Sequence, residues 1–451
     1  MRLFAADALL PQGWVRDVLL EIDAAGHFVA VASGVACGDA ERAAGPVIAG
    51  MPNVHSHAFQ RALAGRTGRA QPGGDSFWTW REAMYTFLDR VDADAFEAIA
   101  GQAYVEMLKA GYTGVAEFHY VHHDPRGAHY ADPAELALRV VAAARSAGIA
   151  LTLLPVFYAH SGFGGRPPMA AQRRFVQTPE SFARLVSRLT NVCIANGERV
   201  GVAPHSLRAV TPEELAVVAT LVPAGPIHMH VAEQLREVVD CIAWSGQRPV
   251  EWLLAQQRID RRWCFVHATH LVAEETSCLA ASGAVAGIAA TTEADLGDGT
   301  FAARAWLDAR GSFGVGSDAN TVIDPFAELR QLEWSQRLAS LSRNVLVADG
   351  ATIGDSLYVA AATGGAQALM QPAGRIAPGL RADLVVLDGD DPALAEQSAE
   401  TLLDAAIFGP CRRPVRDVMV GGHWVVRDGH HAREAEALAR FRLALRRCFA
   451  E

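Results

Sequence analysis

The chain has 451 residues, 51% hydrophobic and 20% charged, which is ample material for a large buried core and excludes whole-chain disorder. Forty basic against fifty acidic side chains leave a formal charge of −10, which argues against a partner gripped through nucleic-acid phosphates. Seven scattered cysteines, none at CxxC spacing, argue against a disulfide framework or a thiolate zinc site.

Residues 1–46 read as strands and turns: 15–22, a turn at 23–26, then 27–31. The first fifteen residues lack a basic segment followed by a long apolar run, so no signal peptide is expected. No stretch approaches the ~20 apolar residues of a membrane helix, and a soluble cytoplasmic protein without membrane contact is expected. From residue 47 short apolar runs alternate with longer helical patterns. The predicted strands are 47–55, 115–120, 149–157, 200–206, 227–233, 263–270, 285–290 and 312–318, with helices at 92–110, 133–147, 180–196, 212–221 and 249–257 between them. Eight buried strands with helical crossovers predict an α/β fold, a (β/α)8 barrel over 47–371. After Gln371 the strand texture returns, at 382–387 and 418–426 with a break at Gly421-Gly422. Residues 1–46 and 372–430 are expected to form one small β-sandwich domain, because the ends of a barrel are neighbours. In 431–451, Leu438, Phe441, Leu445 and Cys448 fall at helical spacing. That C-terminal helix is expected to pack on the barrel or on a second subunit.

Barrel active sites collect at the C-terminal ends of the strands. The first strand ends in Asn53-Val54-His55-Ser56-His57, and residues two apart share a strand face, so both histidines can point into the mouth. A lone HxH arises easily among 16 histidines. Further strand ends add His228-Met229-His230-Val231-Ala232-Glu233, Val266-His267-Ala268-Thr269-His270 and Gly316-Ser317-Asp318-Ala319-Asn320. Imidazoles with one carboxylate suit zinc, and comparably iron. Any one of these residues alone could be a satisfied core histidine or a helix-capping aspartate. Polar groups at four of eight predicted strand ends are harder to explain that way.

These motifs, with PNVHSHAFQRALAGR from Pro52, FWTWREAMY from Phe77, APHSLRAV from Ala203 and GRIAPGLRADLVVLD from Gly374, resemble the amidohydrolase superfamily over nearly the whole chain. The resemblance runs most closely to its formimidoylglutamate deiminases of histidine degradation, chiefly around Arg81 and Arg208. It implies His55, His57, His230 and Asp318 as metal ligands, with Glu233, His267 and Asp318 as the catalytic groups. His228 shares the strand face of His230, but the family pattern puts the ligand three residues before the glutamate, so His228 and His270 are expected to support the site from outside. Many superfamily members bridge two metals with a carboxylated lysine at the end of the fourth strand. Lys109 is the only lysine here and lies in a helix, while Pro204-His205-Ser206 stands at that strand end, so one divalent metal is expected, zinc with iron as the alternative. The resemblance further implies a homodimer, and a small dicarboxylate substrate carrying a formimidoyl group, bound by Gln60, Arg81, Tyr120, His205 and Arg208. Forked arginines suit carboxylates, although most of so many arginines must be surface charges. Trp78 and Trp80 are expected to wall the pocket, and the glycine-rich loop 161–165 has the flexibility of a lid. The alternatives are deamination of a guanine- or cytosine-type substrate and a catalytically silent scaffold. The latter should have lost one of the six metal and acid–base residues, all of which are present.

Overall fold

The computed structural model describes residues 1–69 and 74–450. The chain begins with β1 (Arg2–Leu10), β2 (Gly13–Ile22), β3 (Phe28–Ala32), β4 (Glu41–Arg42) and β5 (Val47–Ala49). The barrel follows with β6 (Met51–Ser56), β7 (Tyr112–His119), β8 (Ala150–Phe157), β9 (Arg199–Val200), β10 (Ala203–Pro204), β11 (Ile227–Val231), β12 (Trp263–His267), β13 (Val285–Ile288) and β14 (Ser312–Val315). The chain closes with β15 (Leu384–Leu387), β16 (Val415–Val420), β17 (His423–Arg427) and β18 (His430–His431).

The barrel strands pair in parallel in chain order from β6 to β8 and from β11 to β14. The short segments β9 and β10 act together as the fourth strand, both pairing β8. Two bridges complete the ring, Val202 to Ile227 and Ser56 to Asp318. Helices cross between the strands, and their ends carry ordinary capping chemistry. The helix Ala93–Ala110 starts at Asp92, whose side chain accepts the Ala95 N–H, and stops at Gly111 with φ of 99°. Among the described residues, no helix is long and apolar enough to cross a membrane.

Both chain ends join in one sheet, ordered β18-β17-β16-β15-β5-β1-β2-β3 with β4 on β1. Strand alternation gives this sheet two apolar faces. Leu384 and Val386 face a separate core with Leu3, Val18 and Met419, while Val385 and Leu387 face the barrel core. The boundary differs from the expected one. Residues Val47–Ala49 pair with β1 and β15 in this end sheet, and the first barrel strand begins only at Met51. The break falls at Gly50, where a β-carbon would lie 2.2 Å from Thr113 Cγ2, so the chain crosses between the two sheets without room for a side chain. The strand β1 was absent from the expectations because its sequence RLFAADALL is largely buried on both faces and lacks alternation. The barrel strands also stop earlier than expected, since Ala232, His267, Ala268 and Asp318 all take positive φ, between 41° and 67°. The backbone therefore leaves the extended region at the mouth of the barrel.

The C-terminal helix Glu434–Cys448 packs on Ala93–Ala110 through Phe441, Ala444 and Cys448, whereas Leu438 is more than a third exposed. The sole lysine is consumed here: Lys109 Nζ donates to Glu434. His430 Nδ1 stands 3.0 Å from the same carboxylate. Lys109, with help from His430, holds the Glu434 carboxyl down to about 2. A carboxyl depressed on folding stabilises the fold fully above its unfolded value near 4.5 and loses that contribution as pH falls toward 2. The pair is one-third exposed, which limits it to ~0.2–1 kcal/mol. Glu434→Gln is expected to lower stability by that amount between about pH 5 and 8, with the difference from the native chain shrinking below about pH 4.5, read by urea unfolding across the pH series.

Candidate active site and metal centre

Seam hydrogen bonds between the first and last barrel strands build the site. His57 N–H donates to the Asp318 carbonyl and Asp318 N–H to the His55 carbonyl, both at 2.9 Å. Gly316 permits this approach, because a β-carbon there would lie 2.7 Å from the His55 nitrogen. Buried amides lock the same seam. Asn53 Oδ1 accepts from the Ser317 and His55 N–H groups, each at 3.2 Å, and its Nδ2 donates to Ser317 Oγ at 2.7 Å. Asn320 Nδ2 reaches the His57 carbonyl at 3.0 Å and the Asp318 carbonyl at 2.9 Å. Beyond the pair, the Ala58 N–H donates to the buried Glu117 carboxylate at 2.7 Å.

His55, His57 and His230 converge with their ligand nitrogens within 4.8 Å of one another. His55 Nε2 lies 3.1 Å from both His57 Nε2 and His230 Nε2. Asp318 Oδ1 stands 3.3 Å from His55 Nε2 and 3.4 Å from His57 Nε2. The far nitrogens fix the tautomers: His57 Nδ1 meets the Phe118 carbonyl at 3.0 Å and His230 Nδ1 the His205 carbonyl at 3.1 Å. A carbonyl can only accept, so both Nδ1 atoms carry hydrogen and both Nε2 atoms present bare lone pairs inward. Lone pairs and a carboxylate oxygen facing one another at such distances call for a cation. A tetrahedral ion about 2.0–2.1 Å from each donor would set donors about 3.3 Å apart, close to the 3.1–3.4 Å that separates His55 from His57 and His230, and Asp318 from His55 and His57. Burial, with the neighbouring His55, pushes His57 down to about 3, and burial and His55 likewise push His230 well below the usual imidazole range. Neutral imidazole is the form that ligates a metal.

Beside this cluster stand two acid–base groups. Burial opposes the charged form of His267, but Glu233, Glu293 and Asp318 outweigh it and hold the imidazole well above its ordinary value. Its Nε2 is 3.7 Å from Glu233 Oε1 and 3.9 Å from Asp318 Oδ2, and its Nδ1 is 3.2 Å from Glu293 Oε1. Burial raises Glu233, against the pull of His267 and Arg208.

A cleft of about 560 Å³ opens onto these groups. All five expected substrate contacts line it: Gln60, Arg81, Tyr120, His205 and Arg208. Gln60 Nε2 donates to the Tyr120 hydroxyl at 2.8 Å. Strand alternation turns Tyr120 into the cleft while His119 packs outside against Phe96 and His122. His228 bonds through Nε2 to the Ala368 carbonyl at 2.8 Å, and His270 Nε2 to the Asp298 carbonyl at 2.8 Å, so neither joins the histidine cluster. Trp80 lines the cleft, but Trp78, two residues away and hence on another side of its helix, lies outside its wall with Arg81 over its ring. The loop 161–165 is also outside the wall. Phe163 stacks on Trp244 and Ser161 Oγ donates to the Pro167 carbonyl at 2.7 Å. Sequence reasoning missed Tyr85, Tyr158, Phe175 and Leu296 in the wall, and Glu293 beside His267. Tyr158 directly follows the end of β8, so the strand-end criterion would have found it, whereas Glu293 lies inside the helix that follows β13.

Comparison with known proteins agrees with this geometry. The amidohydrolase family model matches residues 47–425, and the model described as formimidoylglutamate deiminase HutF, N-terminal domain, matches residues 2–45. The chain is 52% identical to the formimidoylglutamate deiminase of Pseudomonas aeruginosa, over 97% of each. Among solved structures, an amidohydrolase from Brucella melitensis superposes with a TM-score of 0.95 at 48% identity, covering both chains completely. An adenosine deaminase from Xanthomonas campestris with bound zinc superposes at 0.83 over 99% of this chain and 98% of that one, at 21% identity, a likeness of fold. The chain therefore belongs to the amidohydrolase family and, within it, to the formimidoylglutamate deiminases.

Proposed function

We infer that the chain hydrolyses N-formimidoyl-L-glutamate to N-formyl-L-glutamate and ammonia, a step of histidine degradation, as a cytoplasmic homodimer with one divalent metal, zinc or iron, per chain. The observation that carries the substrate is the state of two arginines. Arg81 and Arg208 both line the cleft with their Nε groups buried and without a hydrogen-bond acceptor. Arg208 reaches Glu233 only at 3.5 Å and Glu237 at 3.8 Å, and no carboxylate among the described residues lies within ion-pair distance of Arg81. A guanidinium whose buried Nε–H has no acceptor is costly until an anion meets it, and the two carboxylates of the substrate supply that anion. A guanine- or cytosine-type substrate would leave both unsatisfied.

His55, His57, His230 and Asp318 would hold the metal, which supplies Lewis acidity and lowers the pKa of a water toward neutrality. The residues then manage the protons. Asp318 accepts the proton of the attacking water, while His267, whose Nε2 is 3.9 Å from Asp318 Oδ2, orients and stabilises the hydroxide that develops. As the new C–O bond forms, the C=N electron pair moves onto the imino nitrogen. On the protonated formimidoyl head that nitrogen is then an –NH2 group, and Glu233 carries the water's first proton to it. The carbinol hydroxyl gives its remaining proton to the freed Asp318 as it becomes the formyl carbonyl, the C–N bond breaks, and ammonia departs in place of an amide anion. Glu233 is placed for this by its burial beside His267 and Arg208.

Lys109 is paired with Glu434, and β10 ends at Pro204 with His205 next to it, so no lysine bridges a second ion. Elemental analysis is expected to return one metal per chain; a chelator should abolish ammonia release and zinc should restore it. Glu233→Gln should keep its metal and lose about 10²–10⁴ in kcat. Arg208→Met should cost about 2–5 kcal/mol in kcat/KM for the dicarboxylate substrate and far less for formamidine, which has no carboxylate. Equal losses on both substrates would remove the arginine argument.

A further inference from the structure

Behind His267 the structure holds a second cavity. It opens to solvent and spans about 610 Å³ between the helices Ala290–Leu296 and Pro325–Ser340, and its wall includes Glu293, Gly297, Gly299 and Gln331. Glu293 thus stands between the two spaces. Its Oε1 is 3.2 Å from His267 Nδ1, and His267 lines the catalytic cleft. The same Oε1 accepts the Ala289 N–H at 3.0 Å, which fixes the carboxylate on the first turn of its helix. His267 needs such a hold. Its backbone has φ of 67°, a strained state for a bulky side chain that persists only where surrounding contacts hold it. Three carboxylates surround the ring, but Glu233 and Asp318 both approach Nε2, at 3.7 and 3.9 Å, and Glu293 alone meets Nδ1.

We propose that Glu293 is a positioning residue of the reaction, holding the His267 Nδ1–H so that Nε2 faces the reacting water, and that the second cavity gives small carboxylates access to this position from outside the barrel. The proposal rests on the deimination described above. A carboxylate that fixes a ring should act on kcat and leave substrate binding alone, since Glu293 does not line the cleft.

The test uses the metal-loaded full-length enzyme with N-formimidoyl-L-glutamate. Turnover by the native chain comes first; its absence overturns the proposed function and, with it, this inference, whereas the variants below bear on the inference alone. Given turnover, Glu293→Ala is expected to lose about 10- to 100-fold in kcat with KM nearly unchanged. Added formate, entering through the second cavity, is expected to restore kcat saturably in that variant and to have no such effect on the native chain. Glu293→Gln fills the space and should lose kcat without rescue, and it carries the test if the alanine variant fails to fold. Either folded variant with native metal content and kcat within roughly twofold of the native chain overturns the proposal. So does a slow, folded Glu293→Ala that formate leaves slow.

Discussion

Closing the barrel and assembling the candidate metal site are one event. The hydrogen bonds that join β6 to the end of β14 use the carbonyl of His55, the N–H of His57 and both backbone groups of Asp318. Three of the four groups proposed as ligands are therefore fixed by the ring closure itself, and His230 is brought in by its N–H bond to the His205 carbonyl across the fourth and fifth strands. Ligand geometry good to a few tenths of an ångström needs support of this kind, because a side chain on a free loop would lose it to rotation. The cost is local strain, seen in the positive φ of His267, Asp318 and Asn320, which the buried Asn53–Ser317–Asn320 network offsets.

The electrostatics divide the cleft in a way the net charge of the chain does not suggest. An acidic protein carries two arginines, their Nε groups buried, facing into a cleft whose other wall is imidazole and carboxylate. Global charge governs encounters with large polyelectrolytes, whereas a small dianion responds to the groups within a Debye length of it. Arg208 belongs to both parts of the cleft, touching the candidate proton carrier Glu233 while lying open to a ligand.

Much of this was legible in the sequence because barrel chemistry lies at strand ends, and strand ends are marked by an apolar run meeting polar residues. His55, His57, His230, Glu233, His267 and Asp318 all stand out on that pattern. Supporting groups are less visible. Glu293 and Glu117 are acids whose partners lie 26 and 59 residues away, and no local pattern announces such a pairing. Asn53 and Asn320 lie inside recognised motifs, yet their bonding partners stand on the opposite side of the ring closure, which the local sequence does not show. The boundary at Gly50 was misplaced for a related reason. Val47–Ala49 and Met51–Ser56 form one apolar run, and only the approach of Thr113 shows that the run serves two sheets.

The end sheet sets an order for biogenesis. Strand β5 lies between β1, which is made before the barrel, and β15, whose Val385 pairs with Ile48 across about 340 residues of chain. The strand that leads toward His55 and His57 is thus held on one edge only until the whole barrel has been made. Pairings of such long range form late, and the intermediate that waits for them exposes an unpaired strand edge. A truncated or stalled chain lacking β15 would retain every residue of the candidate metal site and still leave that open edge available to other chains, so premature termination should favour aggregation over a merely shortened enzyme.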